Sequence, residues 1–520
     1  MIKPGNTYQK RNYSASLLLG AVSAFIMAVL GILFWLISEK NLGLQDGQGT
    51  FIAFLALLGF ILLMPSMYLA AKRNFDLFHP LVFPVWAYLF PCFVVGGFMI
   101  PGLGLYPSWI LRLIPDPEFY LPLAAIYIIL GFAGLVAGFA LPFGGRMGRG
   151  LSRHVPAWRW DPDKLLSPAI LMISIGVAAY LISYSLGIVG YQMSDSPSLF
   201  GGLTYSLSTV GDFGAFLLWW AYWGWQRNSR QRPKKSYILW WALAFLSWGG
   251  RIVVIMLISG SRASLLAAML QVAAAYYLVR RKFSKRALMG FGLMIIIAVF
   301  AGILLGTTYR EIKESESRVS LEEGFQIASD ALTQVGSRGI ADNAVYALEA
   351  FLARIDTFSS FAVIVSNYES LNLIEKQLGI ADNIWTYTWT AFIPRFLWPE
   401  KPLISDARTI GEIYFRFPKS SFAMTVFGDL LRNFGPLGIP MGMALLGIFL
   451  RLLYTVGVEE GQQSAWRSAA YFMLLMAVPY ESFYSTILPT WIRMVFMLLL
   501  GGAVVNFLVR LQQHRHRFFS

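Results

Sequence analysis

Long apolar runs recur along the chain, each about 20 residues, the length needed to cross a bilayer as an α-helix. They predict about twelve membrane spans, near residues 15–38, 51–71, 81–101, 121–142, 166–190, 205–226, 238–259, 263–279, 287–307, 436–456, 468–485 and 488–509. The polar stretches between them are short, with one exception. The segment from Tyr309 to Gly435 opens on YREIKESESR, closes on GDLLRNFG, and is the only long polar stretch in the chain. The pattern divides the chain into a membrane bundle at 1–307, a large loop at 308–435, and a last group of spans with a basic tail at 436–520. The predicted fold class is an all-α polytopic membrane protein.

Inside the loop, Leu321, Phe325, Ala328, Leu332 and Val335 recur at helical spacing and predict an amphipathic helix lying on the membrane. Residues 341–366 read as a continuing helix, apolar enough for a re-entrant or docked element. Pro394, Pro399 and Pro402 then interrupt any helix in a stretch dense in Trp385, Tyr387, Trp389, Phe392, Phe396 and Trp398. The run SDARTIGEIYFRF predicts a short helix with Arg408, Glu412 and Arg416 four apart on one face.

Composition agrees with this pattern: 57% of residues are hydrophobic and 13% charged, about half the charge of an ordinary soluble domain. Charge then sets the orientation. Lys72 and Arg73, Arg146 to Lys164, Arg227 to Lys235, Arg280 to Arg286 and the C-terminal arginines all fall in one set of loops. The opposite short loops hold only Lys40 and Arg112. The positive-inside rule places both termini in the cytoplasm and the long loop outside. The net charge of +14 is then topology signal and contact with anionic lipid, which leaves no role for a nucleic acid. The one cysteine, Cys92, falls in the third span, so neither a disulfide framework nor a cysteine metal site is available. His79, His154, His514 and His516 fall on the cytoplasmic side, which removes histidine from any chemistry on the outer face.

From the sixth span onward, charges enter the apolar runs: Asp212, Arg251, Arg262, Glu481 and Arg493 near the outer side, and Arg451 near the inner. Burying them costs several kcal/mol unless they are paired or line a wet cavity. Glu481 with Arg493 reads as an ion pair across a helix hairpin. Arg251 reads either as the partner of Asp212 or as a ligand group.

Arginine binds phosphate through bidentate, charge-assisted hydrogen bonds and stays protonated. Arg251, Arg262, Arg310, Arg354, Arg395 and Lys401 all fall on the outer side and suit a diphosphate held at the membrane surface. The GSRAS turn puts Arg262 near a helix start, whose free N–H groups attract anions. Trp385, Trp389 and Trp398 fit an interfacial aromatic belt or apolar platforms for sugar rings; both readings stay open. A base for an acceptor hydroxyl is sought among carboxylates in apolar surroundings, namely Glu412, with Tyr414 and Arg408 beside it, or Asp356. No Walker A sequence, GxGxxG fingerprint or HExxH occurs in a suitable context. Energy for a reaction outside the membrane must then come from an activated substrate, which points to a lipid-linked diphosphate.

The turn GSRASLL, the helix FLARIDTF, the segment IPRFLWPEKP, the following GEIYF and the closing GDLLRNFGPLGIPMG resemble the Wzy-type O-antigen and exopolysaccharide polymerases, the oligosaccharide repeat-unit polymerases. The resemblance covers about residues 205 to 500. It implies a GT-C-like, all-helical membrane glycosyltransferase related to the O-antigen ligases, working without a metal or other cofactor. Its substrate would be a polyprenyl-diphosphate-linked oligosaccharide, its partners a flippase and a chain-length regulator. The SR turn resembles the family's SRG turn, whose arginine faces the donor diphosphate; here Ala263 stands in place of the glycine. Two other readings remain. An O-antigen ligase carries a histidine in its large outer loop, and this loop has none. A lipid-oligosaccharide flippase would have short loops on both sides and charges through the depth of the bilayer.

Overall fold

Every predicted span from 51–71 onward overlaps a helix, though not always over its whole length. The computed structural model describes residues 24, 26, 27, 46–72, 75–102, 108–189, 200–228, 235–280, 283–313, 319–393, 396–401, 407–417, 422–460 and 464–518; apart from three residues, the predicted first span lies outside them. The chain forms α1 (Asp46–Ala71), α2 (Val85–Val95) running on as α3 (Gly96–Gly102), α4 (Pro117–Ala140) and α5 (Pro142–Ser152). It continues with α6 (Leu166–Ser185), α7 (Gly201–Asn228), α8 (Lys235–Ser259), α9 (Ser264–Arg280) and α10 (Lys285–Lys313). The polar segment holds α11 (Leu321–Ser337), α12 (Ile340–Ile355), α13 (Phe358–Gln377), α14 (Asn383–Thr390) and α15 (Ala407–Phe415). α16 (Val426–Tyr454), α17 (Ala465–Met476) and α18 (Ile487–Phe518) complete it. No strand occurs among the described residues. Among the described residues, seven helices are long and apolar enough to cross a membrane, so the chain is a multi-pass helical membrane protein.

α4 and α16 run side by side in the same direction. A methyl group at Gly134 or Gly138 would strike the backbone of Pro440 or Ala444. Glycines four apart let helix backbones approach this closely, which is how helices gain packing energy in lipid.

The helices depart from the predicted spans at three places. The third span is π-helical over Val85–Val95, with Pro91 inside; a wider turn accommodates a residue that cannot donate to the helix ladder. The span predicted at 436–456 begins at Val426 and bends at Gly435, φ 70° and ψ −169°, a conformation open to glycine because it lacks a Cβ. The span predicted at 468–485 stops at Met476. Pro479 follows, and proline disfavours helix both at itself and at the residue before it. Residues 477–483 are irregular, yet Tyr484 Oη donates to Gly442 O of α16 at 2.8 Å, well beyond the bend at Gly435.

The loop also departs from its prediction. Residues 341–366 are two helices, α12 and α13, broken at Asp356 and Thr357. Asp356 Oδ1 accepts the Ser359 N–H at 2.9 Å; a carboxylate that satisfies a first-turn N–H starts a new helix instead of continuing the old one. α12 runs antiparallel to α10: Arg338, just before it, lies 3.5 Å from the Thr308 hydroxyl, and Phe351 near its end lies 6.0 Å from Phe300 by ring centroid. Phe300 is well inside α10, so α12 descends along it and α13 climbs back, with Asn367 donating to Leu113 O at 3.1 Å. The two form a helical hairpin.

α11 starts behind a capping box of Ser320 and Glu323. Gly324, Ala328 and Ala331 face the protein, while Phe325 and Leu332 of the predicted apolar face are exposed. α15 stops at Phe415, and Arg416 takes φ 56°. Arg408, Glu412 and Arg416 therefore do not share one helical face.

Candidate functional site

The two breaks meet. Arg354 Nη2, from the tip of the hairpin, lies 3.2 Å from Glu481 Oε2 in the irregular segment after α17. The Cys92 thiol donates to Glu481 Oε1 at 3.7 Å, and the Thr357 N–H donates to Cys92 O at 3.3 Å. From a third side, the Thr425 and Val426 N–H groups donate to Glu481 O and Tyr480 O, each at 3.3 Å. Gly96 admits the hairpin tip, since a methyl there would lie 2.9 Å from Asp356 Cα. Non-helical backbone at membrane depth is tolerated only where protein buries it or where it lines a cavity. Broken helices meeting in this way bring charged side chains and helix ends to one place.

Asp356 is 6% exposed. Its Oδ1 caps α13, and its Oδ2 has no hydrogen-bond partner among the described residues. Burial pushes the carboxyl up to about 7, against the opposing pull of Ser359. Near neutral pH it therefore populates both protonation states, the property a proton acceptor needs. Thr425, which caps α16 by accepting the Gly428 N–H at 3.0 Å, sits at φ 64° and ψ 152°. That region is almost confined to glycine and costs of order 1–3 kcal/mol, a strain that tends to gather at working sites.

The Arg262 turn is built separately. Gly260 takes φ 56° with the Tyr309 ring against it, and Tyr309 Oη donates to Ile258 O at 2.8 Å. Gly302 and Gly306 of α10 make room for the turn; a methyl at Gly306 would lie 2.7 Å from Arg262 Cγ. Arg310 follows one helical turn beyond Gly306 on the same face of α10.

Arg251 is buried and lies 2.8 Å from Asp212, which also accepts from Gln271 Nε2 at 2.9 Å. The pairing expected between neighbouring helices is present. Glu481 and Arg493 do not pair: Glu481 takes Arg354, and Arg493 Nε donates to Pro489 O at 3.1 Å. Lys401 Nζ donates to Thr390 O at 2.6 Å and Ile393 O at 3.0 Å, closing the end of α14. Trp398 stacks on Trp389 at 5.6 Å. Arg395 lies outside the described residues. Glu412 is on the exposed face of α15, whereas Tyr414 points inward and donates to Glu375 Oε1 at 2.7 Å.

Tyr414 leads to a buried network that sequence reasoning missed. Arg432 Nε lies 2.5 Å from Glu375 Oε1, and Arg432 Nη1 3.4 Å from Asp429 Oδ1. Asp429 also accepts from Asn383 Nδ2 and from the Ser485 N–H, each at 2.9 Å. These bonds tie α13, α14 and α15 to the first part of α16 and to the segment before α18. A signal was available in GDLLRNFG, where Asp429, Arg432 and Asn433 interrupt an apolar run, but Glu375 in LIEKQ reads as a solvated charge. Among the described residues, no group of three or more His, Cys, Asp or Glu is arranged to hold a metal ion. Comparison of the chain with family models, with curated proteins and with solved structures finds no match.

Proposed function

We propose that the chain is a membrane glycosyltransferase that polymerises polyprenyl-diphosphate-linked oligosaccharide repeat units into O-antigen or exopolysaccharide. In this reading it has about twelve spans in a GT-C-like arrangement, both termini cytoplasmic, and its site on the outer face of the bacterial inner membrane. The observation that carries the reading is the contact of Arg354 with Glu481 at the hairpin tip, with the half-capped, buried carboxyl of Asp356 two residues further along the chain. The motifs from GSRASLL to GDLLRNFGPLGIPMG supply the substrate class.

The bond from the donor sugar's anomeric carbon to its lipid diphosphate breaks, and a bond from that carbon to an acceptor hydroxyl forms. Arg354 binds the departing diphosphate, with Arg262 and Arg310 along its path; charge that develops on the leaving group is where a fixed cation helps most. The acceptor proton goes to Asp356. Glu412, more exposed, is the second candidate. The Trp389–Trp398 stack offers an apolar face to the glycan, and Lys401 and Tyr414 hold that segment in place. Arg251 is held by Asp212 and supports the bundle.

A flippase reading has one observation in its favour, since paired broken helices are also how transporters build substrate sites. The lipid-linked glycan pool of a deletion strain separates the readings. Loss of long chains, with single repeats still transferred, supports the polymerase. Long lipid-linked chains that are no longer transferred indicate a ligase, and repeats confined to the cytoplasmic face indicate a flippase.

A further inference from the structure

α5 presents three faces. Gly144, Gly145 and Gly148 are buried against the far end of α16: a methyl at Gly144 would lie 2.6 Å from Ile448 O, and one at Gly148 2.8 Å from Thr455 Cβ. Phe143, Met147 and Leu151, spaced four apart, form a second face and are 58%, 45% and 43% exposed. Arg146, Arg149 and Arg153 form the third, also exposed, and none has an ion-pair partner among the described residues. With 3.6 residues per turn these rows fall on separate sectors of the helix. Only Leu141 separates α5 from the end of the membrane-spanning α4. Pro142, at the first helical position, starts the new direction with a φ already suited to a helix. α5 therefore begins where α4 leaves the apolar layer.

We propose that α5 lies in the lipid interface at the basic end of the bundle and binds anionic lipid headgroups. The row of Phe143, Met147 and Leu151 enters the acyl region, and the three guanidiniums take headgroup phosphates as bidentate partners. Two features select lipid as the occupant: the three unpaired cations match phosphate in charge, and the apolar row continues the surface of α4. The glycine face fixes α5 to α16 so that its other two faces meet the bilayer in a set orientation.

The test uses the full-length protein in phosphatidylcholine vesicles containing spin-labelled phosphatidylglycerol or spin-labelled phosphatidylcholine. Electron spin resonance then reads the fraction of each lipid immobilised on the protein. The wild type should immobilise phosphatidylglycerol with several-fold preference, weakened by salt. The triple variant Arg146→Gln, Arg149→Gln, Arg153→Gln should bring the preference close to one. Its thermal midpoint in pure phosphatidylcholine should match the wild type, because these side chains make no ion pair within the protein. The double variant Arg227→Gln, Arg280→Gln removes cations already bonded to Val279 O and Gln226 Oε1 and should keep the preference. No preference in the wild type, or a preference that survives the triple variant or is lost equally in the double variant, overturns the proposal. The measurement does not involve glycan transfer, so the polymerase reading stands or falls separately.

Discussion

Arg354 and Glu481 are 127 residues apart in sequence and 3.2 Å apart in space, and their contact joins the two helix breaks. The side chains are 59% and 30% exposed, so the pair itself contributes no more than about 1 kcal/mol to stability. Its importance lies in where it holds the guanidinium. Glu481→Gln should leave the thermal midpoint nearly unchanged, while polymerisation in reconstituted membranes falls by about tenfold or more, roughly 1.4 kcal/mol in barrier. Arg354→Lys should fall comparably, because a point charge lacks the planar fork. Normal activity in both variants would remove the pair from the chemistry.

Asp356 gives opposite pH trends for stability and activity. Its carboxyl is raised from 3.8 to about 7 by burial, so between these values the folded chain holds a proton that the unfolded chain has lost. Stability from this group is therefore highest at low pH and declines as pH rises from about 4 to about 7. Activity, which needs the deprotonated form, should rise through the same upper limit. Asp356→Asn should flatten this part of the stability profile and abolish turnover while substrate binding survives. A wild-type rate independent of pH between 5.5 and 8.5 would argue against Asp356 as the base.

Arg432 faces two carboxylates, Glu375 and Asp429, in a site with almost no solvent access. Removing the cation leaves two buried negative charges without their partner, so Arg432→Met should destabilise by about 3–5 kcal/mol. Glu375→Gln keeps acceptor atoms for Arg432 and Tyr414 and should cost less. Thermal unfolding of purified protein measures both, and an Arg432→Met midpoint above that of Glu375→Gln would contradict this order.

Gly306 lies under the side chain of Arg262. Gly306→Val should displace the turn and lower activity by about tenfold or more, comparable with losing a positioned charge-stabilising group. Arg262→Lys should fail nearly as badly as Arg262→Ala if the fork matters. Full activity in the Gly306→Val protein would separate the turn from the reaction.

Cysteine labelling tests the orientation. Cys92 is buried, so the background is low. Asp330→Cys on α11 should react with a membrane-impermeant maleimide in intact cells, and Gly150→Cys on α5 only after permeabilisation. The reverse result would place the hairpin tip on the cytoplasmic side.

What the amino-acid pattern discloses is the lengthwise arrangement. The apolar runs at 51–71, 121–142 and 166–190 become α1, α4 and α6, and the spacing of Leu321, Phe325 and Leu332 becomes α11. The Arg251–Asp212 pair was legible because consecutive spans are spatial neighbours. The partner of Arg354 was not legible, since it depends on how an element in the loop docks against a distant break. The stop at Met476 was masked by apolar residues on both sides of Pro479. The break at Asp356 was hidden for a similar reason: one capping carboxylate in an apolar run decides between a single helix and a hairpin. The three faces of α5 went unread because glycine carries no hydrophobic signal, and only the neighbour it touches assigns it a side.

Cys92 is the chain's one thiol, and it donates to Glu481. An S–H bond absorbs in a part of the infrared spectrum that other protein groups leave empty, and its frequency drops as its hydrogen bond strengthens. The molecule thus carries a native vibrational reporter beside the hairpin tip, with no label and no substitution needed. A shift of that single band on adding a lipid diphosphate would register a change at Glu481 before any product is made.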